Sequence, residues 1–118
     1  MFNLIKDRAM AKMLCNAFAL KMADPENKLV VAFESEALTE DEAKALDLKE
    51  LESFVGHEDT AAVLGVEFRR KALSLHEGDV LYVAEVMGGR LPEGCTTLPE
   101  GFKLMFKRVT ILSVRVKA

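Results

Sequence analysis

At 118 residues the chain has the length of one ordinary domain. Its 50% hydrophobic content supplies a core and excludes a disordered tail, while its apolar runs are too short to span a membrane. A net charge of −3 hides an uneven split: residues 1–59 carry 7 Lys/Arg and 13 Asp/Glu, and residues 60–118 carry 9 and 6, a pattern that suits a small phosphate-bearing ligand better than long DNA, which demands a broad basic face.

Residues 1–11 read as a short amphipathic helix with Phe2, Ile5 and Ala9 on one side. Met1–Arg8 lacks the basic and apolar segments of a signal peptide, so a cytoplasmic protein is expected. Met13–Leu20 reads as a mainly apolar strand, and Asp24-Pro25-Glu26-Asn27 as a turn leading to a buried strand over Lys28–Phe33. Thr39 and Glu42 form a capping-box signature for a helix running to about Asp47. A second short helix is expected over Leu48–Phe54, and a third from Gly56-His57 to a C-cap at Gly65.

The period then changes to sheet. Val66–Leu75 reads as a strand, His76-Glu77-Gly78-Asp79 as a hairpin turn, and Val80–Met87 as the returning strand, broken at Gly88-Gly89. Leu91-Pro92-Glu93-Gly94 is a loop, and Phe102–Val116 a closing strand with a bulge near Lys107-Arg108. The expected fold is α+β: a mixed five-stranded sheet with short helices between strands 2 and 3. Cys15 and Cys95 lie far apart with no C-x-x-C pair, and with only His57 and His76 no zinc-ligand spacing exists, so neither a disulfide scaffold nor a metal cofactor is expected.

His57 follows Gly56 at a helix start, where unpaired N–H groups attract anions and an imidazole can give a proton to a leaving oxygen. The plain alternative is a histidine that only bonds nearby backbone. Arg90 can clamp a phosphate, and Glu93 three residues on can orient it; otherwise they form a surface ion pair beside a Pro-Gly turn. Arg69-Arg70-Lys71 is either a phosphate contact or a solvated strand start. Asn16, polar within an apolar segment, either meets a ligand or bonds between strands. Glu40-Asp41-Glu42 reads as helix-start charge, and His76 as exposed. No P-loop, G-x-S-x-G, G-x-G-x-x-G or H-E-x-x-H is present.

Four segments occur in an order that resembles the viral anti-CRISPR ring nucleases: Met13-Leu14-Cys15-Asn16-Ala17-Phe18, Val55-Gly56-His57-Glu58-Asp59-Thr60-Ala61, Glu77-Gly78-Asp79-Val80-Leu81-Tyr82-Val83 and Arg90-Leu91-Pro92-Glu93-Gly94. The likeness spans roughly residues 13–114, leaving 1–12 as an N-terminal extension to a single domain over 13–118. It implies a two-fold homodimer that cuts cyclic tetra-adenylate without a metal, inactivating type III CRISPR signalling. By resemblance, His57 and Glu93 are catalytic, His57 as general acid and Glu93 holding the geometry. Asn16, Gly56, Arg70 and Arg90 bind the ligand. The implied partners are cyclic tetra-adenylate and a second copy, with no membrane and no long nucleic acid. A module that sequesters the ring without cutting it, or a small nucleic-acid-binding regulator, are the alternative readings. The sequence departs from the family pattern at Ala19, where a hydroxyl is usual, in the shortened loop before Arg69-Arg70, and in the reduced segment Thr96–Gly101.

Overall fold

The computed structural model describes residues 12–16, 23–69 and 74–117. Five strands, β1 (Lys12–Cys15), β2 (Leu29–Ala37), β3 (Glu52–Ser53), β4 (Val80–Met87) and β5 (Lys103–Val116), form one mixed sheet in the order β2-β5-β4-β1-β3. β1 runs parallel to both β3 and β4, while β5 runs antiparallel to β4 and β2. Helix α1 (Glu40–Lys44) and a 3₁₀ turn at Leu48–Glu50 lie between β2 and β3, and helix α2 (Glu58–Leu64) follows β3. The expected α+β class with a mixed five-stranded sheet is therefore observed, with one strand differently assigned. The expected helix over residues 1–11 lies outside the described residues.

The core forms on both sheet faces because β1 and β4 alternate large apolar side chains across them. Met13, Cys15, Leu81, Val83, Val109 and Ile111 pack on one side with Phe54 and Leu75. Leu14, Val55, Tyr82 and Ala84 pack on the other with Ala61, Leu64 and Val66 from α2 and its exit. Neither Cys15 nor Cys95 is in a disulfide.

Local chemistry fixes the short helices. Thr39 Oγ1 accepts from the Glu42 N–H at 3.1 Å and Glu42 Oε1 accepts from the Thr39 N–H at 2.9 Å, completing the expected capping box. The Thr39 backbone N–H, aided by its hydroxyl, holds the Glu42 carboxyl below the usual carboxylate range. α1 ends at Lys44, short of Asp47. α2 ends at Gly65, whose φ of 72° is the left-handed cap conformation that glycine adopts at little cost.

Several expected elements differ. Leu48–Phe54 is not a helix. Asp47 caps a single 3₁₀ turn, and the chain then extends so that the Phe54 N–H donates to Leu14 O at 2.7 Å. Phe54 and Val55 are buried on opposite faces of the sheet, which suits a strand closing the open edge of β1. The hairpin of Val66–Leu75 with Val80–Met87 is also absent among the described residues. β4 already has β5 on one edge and β1 on the other, so no edge is left for a hairpin partner. What remains is one rung, where Phe68 bridges Val55 and the Arg69 N–H donates to Val55 O at 2.9 Å.

β2 is longer than expected and not the buried strand expected: Leu29–Val31 are part-buried and Ala32–Ala37 exposed, because it is an edge strand paired only with β5. The bulge falls at Leu112, skipped between the pairs Ala32↔Ser113 and Phe33↔Ile111, and not near Lys107-Arg108. Those two residues break the apolar pattern without breaking the register. Lys107 meets Glu85 at 3.0 Å, and Arg108 Nε donates to Glu36 Oε1 at 2.7 Å. β1 ends at Cys15, and residues 17–20 of the expected longer strand, with Ala19, are outside the described residues.

Candidate functional site

Because β1, β3 and β4 are parallel, their carboxyl ends point the same way and their outgoing segments meet at one end of the sheet. Such ends are common ligand sites, since they gather loops and unpaired backbone groups. Here they gather Asn16 after β1, Gly56-His57 after β3, and the Gly88–Gly94 segment after β4.

Two hydrogen bonds tie these segments together. Asn16 Oδ1 accepts from the Gly56 N–H at 3.2 Å. This resolves the polar residue that follows β1: its oxygen positions the start of α2, and its amide N–H groups are not engaged in that bond. Asp59 Oδ1, in the first turn of α2, accepts from the Gly94 N–H at 3.0 Å. The Arg90–Gly94 loop is thereby held beside the His57 end of α2, with Leu91 buried beneath it.

His57 is the N-cap of α2. Its Nδ1 accepts from the Thr60 N–H at 3.3 Å and lies 3.2 Å from Thr60 Oγ1. The plain reading of a helix-start histidine is thus real at Nδ1, but the residue is exposed and its other nitrogen, Nε2, has no hydrogen bond among the described residues. With Nδ1 accepting, the neutral ring carries its proton on Nε2. α2 is only two turns long, so capping geometry and not a helix dipole governs this end.

Arg90 and Glu93 are exposed, and neither forms a hydrogen bond or ion pair among the described residues. The expected alternative, that they pair with each other, does not occur. Arg69 is committed elsewhere: it lies 3.8 Å from Glu52 and 5.8 Å from the centroid of the Phe54 ring. Arg70, the residue singled out for phosphate, lies outside the described residues together with Lys71. The structure brings Asn16, Gly56, His57 and the Arg90–Gly94 loop together; it leaves Arg69 outside the group. Asp59 and Thr60 were not singled out in the sequence. An acid in a first helical turn and a threonine at N3 are ordinary there, so only the contacts reveal them.

His76 is exposed, as expected; its N–H donates to the buried carboxylate of Asp79 at 2.8 Å. Among the described residues no three His, Cys, Asp or Glu side chains gather as metal ligands. A groove of about 360 Å³ between α1 and the start of β5 is lined by Leu38, Ala43, Lys44, Leu104 and Phe106 and does not include His57. Among the described residues no helix is long and apolar enough to cross a membrane.

A family model described as STIV B116-like matches residues 12–105. The chain belongs to the STIV B116-like family. Among solved structures it is similar to B116 of Sulfolobus turreted icosahedral virus. That match has 21% identity and a TM-score of 0.59, and covers 85% of this chain and 98% of that one. The likeness establishes a shared fold, and the family is one named for a viral protein. No curated protein matches the sequence. The matched span contains every residue of the candidate site.

Proposed function

We propose that this STIV B116-like protein is a metal-independent ring nuclease acting on cyclic tetra-adenylate as a homodimer in the cytoplasm, and that it antagonises type III CRISPR signalling. The observation that carries this reading is the cluster at the carboxyl ends of β1, β3 and β4. It combines an exposed imidazole, an arginine and a glutamate that have no partner for Nε2 or for their charges among the described residues, and an asparagine bonded to the intervening glycine. An arginine available for phosphate, on a loop held against the helix that His57 caps, and an acid–base group are what a phosphodiester site requires.

In the proposed reaction a ribose 2′-hydroxyl attacks its neighbouring phosphorus in line. The 2′-O–P bond forms, the P–O5′ bond breaks, and the 5′-oxygen takes a proton from the His57 imidazolium while the hydroxyl proton passes to water. Arg90 offsets phosphate charge, with Arg70 assigned the same part by resemblance, and Glu93 holds the geometry. The ring has two-fold symmetry, so a two-fold dimer offers each of two opposed phosphodiesters an equivalent site. The products are linear di-adenylates ending in 2′,3′-cyclic phosphates.

The test is incubation with cyclic oligoadenylates of several sizes in EDTA, resolved by chromatography. Wild type is expected to release di-adenylate from the tetramer ring, and His57→Ala to lose ~10²–10⁴-fold in rate while still binding. Unimpaired cleavage by His57→Ala overturns the assignment. One observation favours a second reading, a sponge that binds without cutting: Nδ1 of His57 is already satisfied as a helix cap. Intact ring recovered from a tight complex after long incubation identifies the sponge.

A further inference from the structure

We propose that Thr60 is a positioning residue for His57, its hydroxyl reversing from donor to acceptor at Nδ1 so that the imidazole can carry the proton the leaving oxygen takes. The inference rests on the ring-nuclease reading for its purpose, but its physical content concerns only these two side chains.

The neutral imidazole is simple to hold. Nδ1 has a lone pair, and the Thr60 N–H points at it from 3.3 Å. A general acid must first be an imidazolium, and then Nδ1 bears a hydrogen and has no lone pair left. The cap bond is lost, and the Thr60 N–H faces another donor. A histidine held by backbone alone would therefore be pinned as the neutral ring, whose Nε2–H is too weak an acid to protonate the 5′-oxygen.

Thr60 Oγ1 removes the conflict. It lies 3.2 Å from the same nitrogen, and a hydroxyl can serve either as donor or as acceptor by rotating its hydrogen. Beside the neutral ring it donates to Nδ1; beside the imidazolium it accepts from Nδ1–H. The residue is 6% exposed, so its hydroxyl needs a protein partner. Threonine in a helix commonly bonds a carbonyl one turn back, yet this hydroxyl's partner is the imidazole. The charged groups nearby are Glu58 and Asp59 on α2 and Arg90 and Glu93 on the loop that Asp59 holds. None forms an ion pair with His57, and the only histidine ion pair among the described residues is His76 with Asp79. Nδ1 is therefore governed by Thr60 in both protonation states, leaving Nε2 for the substrate.

The test uses Thr60→Val, which keeps shape and removes the hydroxyl, and Thr60→Ser, which keeps the hydroxyl. Against the tetra-adenylate ring at pH 7, Thr60→Val is expected to lower kcat by ~10-fold or more, the scale of one hydrogen bond to a charged group. KM should stay unchanged, Thr60→Ser should restore turnover, and in a His57→Ala background Thr60→Val should cost nothing further. Independently of any substrate, the Nδ1 proton of the His57 imidazolium, seen in nitrogen-correlated NMR spectra at low pH, should exchange slowly in wild type and rapidly in Thr60→Val. Unchanged turnover and exchange in Thr60→Val overturn the proposal. If wild type cuts no ring, the proposed function fails while the exchange still decides whether Thr60 holds the imidazolium. Should Thr60→Val not fold, wild type alone decides: a slowly exchanging Nδ1 proton supports the bond, and a rapidly exchanging one refutes it.

Discussion

Histidine is a weaker choice for capping a helix than Asn, Asp or Ser, whose short side chains reach the N2 and N3 amides in favoured rotamers. His57 fills that position with a ring that bonds at 3.3 Å and leaves its second nitrogen exposed. A residue selected for stability alone would cap better, so His57→Asn separates the two demands. The variant should keep α2 and gain up to about 1 kcal/mol in denaturant unfolding, while ring cleavage falls to the level of His57→Ala. A loss of stability with activity retained would mean that the imidazole serves the helix and not the reaction. At this scale the sequence was informative for residues whose type is unusual for their place. His57 at a helix start and Asn16 within an apolar strand stood out, and the structure brings them together through Gly56. Asp59 and Thr60 have types that any helix start tolerates, and their roles exist only in contacts with Gly94 and His57.

Among the elements, β4 and α2 were readable because each carries its own boundaries: turn residues flank Val80–Met87, and a left-handed glycine closes Glu58–Leu64. β3 was not readable. Two residues carry no period, and its existence depends on the free edge of β1. The expected hairpin before β4 failed for the complementary reason, since both edges of β4 were taken by strands distant in sequence. Gly88 marks where β4 must stop: its φ is 116°, and a Cβ there would lie 2.8 Å from Gly101 O, so the chain turns out toward Arg90 and Glu93. The turn alone does not place that loop at the site; the Asp59–Gly94 bond does. Asp59→Ala is therefore expected to leave thermal stability within about 0.5 kcal/mol of wild type, as an exposed loop contact allows. Cleavage should nevertheless fall, because Arg90 and Glu93 are no longer held beside His57. Higher exchange of loop amides over residues 90–95 relative to wild type should accompany the loss. Activity unchanged with that exchange raised would show that the ligand, and not Asp59, sets the loop.

For the molecule as a whole, charge bears on which partner the proposed function can have. The second half of the sequence is net basic, but in the fold Arg69, Lys107 and Arg108 are each committed to a carboxylate, on Glu52, Glu85 and Glu36. These three basic residues are thus held in local pairs and offer no continuous stripe for a duplex, which weighs against a long nucleic acid. A compact ring with four phosphates makes a different demand: two equivalent sites facing each other. One chain supplies one His57, so under the proposed function a single subunit can break only one of two opposed phosphodiesters while the ring stays bound. The products of mixed dimers expose this directly. Wild type and His57→Ala copies bearing different tags can be exchanged, and the heterodimer isolated through both tags. With one competent imidazole it should open the ring once, so that linear tetra-adenylate builds up before any di-adenylate, whereas the wild-type dimer releases di-adenylate from the outset. Sedimentation at the assay concentration should show a dimer in both cases. If the heterodimer instead makes di-adenylate at half the wild-type rate with no tetra-adenylate intermediate, one site performs both cuts before releasing its ligand. The two-fold matching of ring to dimer then fails even though the ring nuclease stands.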